Sequence, residues 1–361
     1  MLPARLKSGG KPKEMSHTTH SASRITARIA NHPPTSRFEV PVVNCEVDNK
    51  QNLTQYRQKW LEWMSWYEHS DLEPNSIESQ IHTMLFNDLT YRACVSVRNL
   101  QGSDLEISAH SPTLAYLLDQ GYVLSQVLSI QKLLDDGRGV ISVKRLLKDV
   151  RKHRKLITRE AYVAGDGTPY DYDTWMQSAD RTDPMAQMWG IEAPGLRRFA
   201  VAKYLHERFD LLSGKRADER TRVDTIRKSI FETLESWLNT PSARELETVR
   251  NSFIAHSADK VRRGSAEFKD VRFAQIDELQ RAIVRVERSL IDHILCKREA
   301  RGVVPSPPLG LFRGLDSPYA LHGAENEMHL RWNELATERE KWTIGILEDL
   351  SSSTSTVSQL H

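Results

Sequence analysis

The chain has 361 residues, with 50 basic and 48 acidic side chains and a formal net charge of +2, which excludes a uniformly basic nucleic-acid coat or an acidic tail protein and confines any nucleic-acid contact to local patches. Its three cysteines, Cys45, Cys94 and Cys296, lie far apart and exclude a disulfide framework or a CxxC metal site. They fit a reducing, cytoplasmic setting, and no apolar run approaches the about 18 residues of a membrane span.

Residues 1–40 are rich in Ser, Thr, Lys and Arg and nearly free of acids, which predicts a disordered basic tail. The stretch lacks the apolar segment of a secretory signal. Its composition also resembles an organellar transit peptide, and Met15 offers a second start. Residues 52–104 follow as Trp-rich helices. In "NLTQYRQKWLEWMSWYEH", Trp60, Trp63 and Trp66 stand three apart beside Leu61 and Met64, a spacing that predicts one helical face packed into a core. The same face is the one that would dock a regulatory protein or antitoxin. A second helix is predicted over 76–100.

A long apolar helix is predicted over 111–136, opening on Ser111 and Pro112, a cap and a first-position proline. "GRG" breaks it, and a basic helix starts at Ser142. Residues 164–185 read as a polar loop. Helical pattern returns over 195–214, with Gly214 as its stop, and over 217–240. The stretch 270–300 makes about eight helical turns with Ile276, Leu279, Ile283, Val286, Leu290 and Ile294 in one stripe. Residues 301–318 read as a Pro/Gly linker, 319–350 as a C-terminal helical segment carrying Trp332 and Trp342, and 351–361 as a disordered tail. Without any long alternating pattern, the fold class is all-α, an antiparallel helical bundle over 105–300 with extra N-terminal helices.

The segment "ELETVRNSFIAHSADK", residues 245–260, places an arginine in an apolar stripe. Ser242 and Glu245 form an S-x-x-E capping box that predicts a helix start near 242. At about 100° per residue, Arg250 falls between Leu246 and Ile254, and His256 falls on the opposite border of the stripe. An always-charged guanidinium on an apolar face calls for a carboxylate partner, a snorkelling path to solvent, or an anion. Arg250 and His256 are separated by five residues; one other stretch with four to six residues between an arginine and a histidine, Arg288 to His293, lies inside a long helix with no loop at the histidine and reads as coincidental.

"RNSFIAH" resembles the R-x(4–6)-H signature of the HEPN superfamily, with a polar Asn251 after the arginine and a small Ala255 before the histidine. The stretch "SIQKLLDDGRGVISVKRLLKDVRKHR" is similar to the second and third helices of its abortive-infection type U branch, and the resemblance covers about 105–300. It implies a metal-independent endoribonuclease in prokaryotic defence or growth control, without a cofactor. Arg250, Asn251 and His256 would be the catalytic residues, at the interface of a homodimer. A histidine can move the protons of 2′-hydroxyl attack and an arginine can hold the charged phosphorane, giving a 2′,3′-cyclic phosphate and a 5′-hydroxyl. Arg250 and His256 are separated by about 9 Å of rise and about 120° of rotation, and one chain supplies one motif histidine where acid and base ask for two. Lys144, Lys148, Arg151 and Lys155 share one helical face that could track RNA, although a merely solvated face gives the same pattern. The alternative function is a non-catalytic helical module that binds nucleotide or RNA or mediates dimerisation. No metal site is expected, since His17 and His20 stand without further ligands.

Overall fold

The computed structural model describes residues 37–68, 75–100, 112–171, 194–251, 271–297, 302–313 and 325–352. Eleven α-helices lie in them: α1 (Lys50–Tyr67), α2 (Ile77–Leu100), α3 (Pro112–Leu134), α4 (Val143–Lys152), α5 (Arg159–Ala164), α6 (Pro194–Ser213), α7 (Lys228–Leu238), α8 (Pro241–Val249), α9 (Phe273–Arg288), α10 (Glu325–Glu340) and α11 (Ile346–Ser352). The described residues hold no strand beyond one isolated bridge between Thr158 and Thr225, and no helix among them is long and apolar enough to cross a membrane. The protein is all-α.

Helix α9 is the central member and packs against α3, α4, α7 and α8. Its stripe of Ile276, Leu279, Ile283 and Val286 is fully buried, and Leu290 just beyond its end is too. A buried amide relay crosses this core: the Gln280 amide donates to Gln126 on α3 at 2.9 Å, and Gln126 donates to the Met84 carbonyl of α2. Beyond Arg288 the helix widens into a π-turn over Ser289–Ile294. The Trp face of α1 does pack inward. Trp60 and Trp63 are buried, and the Trp63 indole donates to Asp149 of α4 at 2.8 Å. Trp66 lies half-buried under the Arg145 guanidinium, while Leu61 points to solvent.

Several boundaries differ from the sequence reading, each for a long-range reason. The N-terminal tail expectation falls largely outside the described residues, but 37–40 belong to the body. Arg37 donates to the carbonyls of Leu295 and Tyr162, and Phe38 sits edge-on to Tyr56 and Trp60. The helix expected over 217–240 begins only at Lys228. Upstream of it, Asp224 folds back on Thr221 and accepts from Arg159 Nε at 3.0 Å. Arg159 has no solvent exposure; it pairs with Asp210 at 2.7 Å, donates to Ser213 and lies 4.9 Å from the Phe209 ring centre. It thereby ties α5, α6 and the 220s loop together. The basic helix from Ser142 ends at Lys152, after which Arg154–Leu156 form a 3-10 turn. Gly214 closes α6 at a φ of 71°, as its position in the sequence predicts.

The C-terminal segment is docked onto the bundle. Trp332, Met328 and Phe312 form a second apolar cluster with Leu89 and Ala93 of α2. Arg339 of α10 reaches the fully buried Asp88, which also accepts from Tyr122 and Arg92. The stretch 302–313 is correspondingly a packed strap, with Val303 and Phe312 buried.

Glu287, at the end of α9, is 4 % exposed and accepts from Tyr67 at 2.7 Å. Burial pushes its carboxyl up to about 7, opposed by the neighbouring Arg288. A raised carboxylate stabilises the fold when protonated, so this contribution is complete below about pH 4.5 and is lost as pH rises through about 7. Glu287→Gln keeps an acceptor for Tyr67 and removes the titration. Relative to the parent, the variant should gain about 3 kcal/mol in urea unfolding between pH 4.5 and 8. A difference that stays flat with pH would remove Glu287 as the cause.

Candidate functional site

Helix α8 starts one residue before the expected capping box. Thr240 is the N-cap, its hydroxyl accepting from the Ala243 N–H at 3.3 Å, and Pro241 takes the first helical position. The box residues have other uses. Ser242 donates to Glu278 at 2.6 Å and Glu245 accepts from Gln275 at 2.5 Å, both on α9. These bonds pin α8 along α9, with Leu246 and Val249 buried between them.

Arg250 ends α8 in right-handed helical geometry, its N–H bonded to the Leu246 and Glu247 carbonyls. Its side chain is half-buried at the edge of the apolar stripe. There Nε donates to Asn251 Oδ1 at 2.9 Å, and among the described residues the guanidinium pairs with no carboxylate. Arg250 and Asn251 are therefore brought together. His256, with Phe253, Ile254 and Ala255, lies outside the described residues.

Arg250 opens onto a cleft of about 380 Å³ walled by the C-terminal end of α3, the start of α4, the end of α7 and one face of α8. Lys144 lines the same cleft from the opposite side. The floor is the "DDGRG" turn, whose acids are occupied. Asp135 Oδ1 accepts from the Gly137 N–H at 2.8 Å. Asp136 is held by Lys148 and lies 3.8 Å from Lys144. The hydrogen bond from Lys148, with the nearby Lys144 charge, keeps the Asp136 carboxyl below its usual range.

The four basic residues predicted to follow RNA are not brought onto one open face. Lys144 faces the cleft, and Lys148 is paired with Asp136. Arg151 is paired with Glu235 and lies 3.7 Å from Glu232 of α7. Lys155 is exposed on the 3-10 turn beyond α4. Arg244, Glu247 and Gln131 are among the cleft residues that are not legible in the sequence. The first two repeat at the i, i+3 spacing that ends at Arg250, a ridge visible on the helical wheel once the polar face is followed as well as the apolar one.

The other Arg–His stretch, Arg288 to His293, behaves differently. Arg288 lies in the body, 3.4 Å from Glu287 and 3.5 Å from Asp292. His293 is pushed down to about 4 by burial and by Arg208, so it is neutral at physiological pH. Among the described residues no group of His, Cys, Asp and Glu side chains could hold a metal ion. What the α8 cleft offers is a guanidinium and an ammonium converging on open volume, which suits an oxyanion. No protein-family model matches the chain, and neither a curated protein nor a solved structure matches it.

Proposed function

We propose that the protein is a dimeric, metal-independent endoribonuclease of the HEPN kind, acting in prokaryotic defence or growth control. The supporting observation is Arg250: braced by Asn251, without a carboxylate partner among the described residues, and facing a cleft that also presents Lys144. A guanidinium so placed can bind a phosphodiester and stabilise the charge that accumulates on the phosphorane.

In this reading the 2′-hydroxyl oxygen attacks the adjacent phosphorus and gives its proton to a base. The bond from phosphorus to the 5′-oxygen breaks, and that oxygen takes a proton from an acid. His256 of one protomer serves as one partner and His256 of its mate as the other. The products are a 2′,3′-cyclic phosphate and a 5′-hydroxyl. Incubating the purified chain with single-stranded RNA should yield those ends at the same rate with and without EDTA. Products bearing 5′-phosphate, or cleavage abolished by the chelator, would overturn the reading. The cleft could instead hold RNA without cutting it, and its occupied acids beside Lys144 are compatible with that second reading.

A further inference from the structure

The charged ridge of α8 does more than carry Arg250. Arg244, Glu247 and Arg250 stand at successive i, i+3 positions, each about 4.5 Å further along the axis, and all three line the cleft. Arg244 and Glu247 are exposed, and among the described residues none of the three enters an ion pair. Some neighbouring cations are matched, Lys148 by Asp136, Arg151 by Glu235 and Lys228 by Glu232, whereas Lys132, Arg138, Lys152 and Lys155 are exposed and enter no ion pair among the described residues. What sets the ridge apart is its order: a cation, an anion and a cation stand in sequence along one wall of an open volume.

We infer that this ridge, with Lys144 opposite, is the substrate groove, and that it takes one ribonucleotide step of single-stranded RNA. Arg244 and Arg250 each hold one of two consecutive phosphates, and Glu247 accepts the 2′-hydroxyl of the ribose between them. The inference deepens the endoribonuclease reading and rests on it for the choice of RNA. The order of charges selects this ligand. A run of phosphates or of carboxylates would be repelled at Glu247. A ribose between two phosphates supplies anion, hydroxyl donor and anion in the matching order. About 9 Å separates the two arginines along the helix, within reach of two flexible side chains converging on adjacent phosphates. A volume of 380 Å³ lies in the range of small-ligand sites. It moves RNA contact away from Lys148 and Arg151, which are paired with acids, to the wall of the cleft, and keeps from α4 only Lys144, 3.8 Å from Asp136.

The test is fluorescence anisotropy with a labelled single-stranded RNA and the DNA of the same sequence, on the full chain carrying His256→Ala so that the probe survives. Arg244→Ala and Lys144→Ala should each weaken RNA binding about tenfold and lower the salt dependence by about one counterion, with circular dichroism unchanged. Lys148→Ala and Arg151→Ala should change it less than twofold. Glu247→Ala should cut the preference for RNA over DNA about tenfold, whatever it does to overall affinity.

The groove assignment falls if Lys148→Ala and Arg151→Ala weaken binding as much as Arg244→Ala, if the RNA preference survives Glu247→Ala, if polyglutamate competes as well as RNA, or if the chain binds no RNA. Cleavage by the unmodified chain is scored separately. Binding through the ridge without cleavage sinks the nuclease and leaves the groove standing. Cleavage whose KM ignores Arg244→Ala does the reverse.

Discussion

Arg250→Ala combined with His256→Ala is expected to lower RNA cleavage by at least about 10³-fold while leaving the helical content of the chain intact. Removing one group that holds transition-state charge costs about 10²–10³ in rate, and removing a general acid or base costs about 10²–10⁴. Because the residues act as one unit, the double change should cost little more than the worse single change. Arg250 sits at the half-exposed end of α8, and among the described residues its side chain bonds only to Asn251, so little of the described packing rests on it. The single variants separate the roles. Arg250→Lys keeps the charge but loses the planar fork, and should recover only a small part of the rate. His256→Ala should flatten the pH–rate profile near neutrality. The comparison is initial rates on a fixed RNA at saturating concentration. Rates within twofold of the parent for the double variant would remove the catalytic assignment.

The second large effect is structural. Arg159→Ala should destabilise the fold by about 3–5 kcal/mol, because it leaves Asp224 and Asp210 facing a cavity without their shared cation. Arg159 is fully buried and contacts Asp210, Asp224, Ser213 and the His206 carbonyl, all beyond residue 200 in the chain. Asp210 retains Arg220 at 2.6 Å, so most of the loss should fall on the 220s loop. Urea unfolding measures the total, and amide exchange at Asp224 and Ile226 locates it. A loss below about 1 kcal/mol would mean that water replaces the guanidinium at little cost.

Helices whose apolar spacing is regular were legible from the chain alone. The stripe of α9, the Trp face of α1 and the Gly214 stop need only local periodicity and backbone preference. The start of α7 was not legible, because Asp224 is taken by an arginine 65 positions away and the intervening residues bend to reach it. The S-x-x-E pattern at Ser242 misled for a similar reason: both side chains bond to α9 instead of to their own helix end. In the candidate site, Arg250 with Asn251 could be picked out by sequence, since they are adjacent. Lys144 is legible as part of a helical face, but its place in the same cleft as Arg250 depends on how α4 packs against α7 and α9. Arg244 and Glu247 stayed hidden because an exposed charge on a helix looks the same whether it faces bulk water or a groove.

The docking of α10 bears on how the protein can be divided. Trimming the chain after residue 301 to isolate the bundle would uncover Leu89 and Ala93 and would strip Asp88 of the Arg339 cation. Such a fragment would expose a greasy patch around a half-compensated interior acid, and should precipitate or self-associate during purification. Boundaries for any recombinant piece therefore belong beyond Ser352.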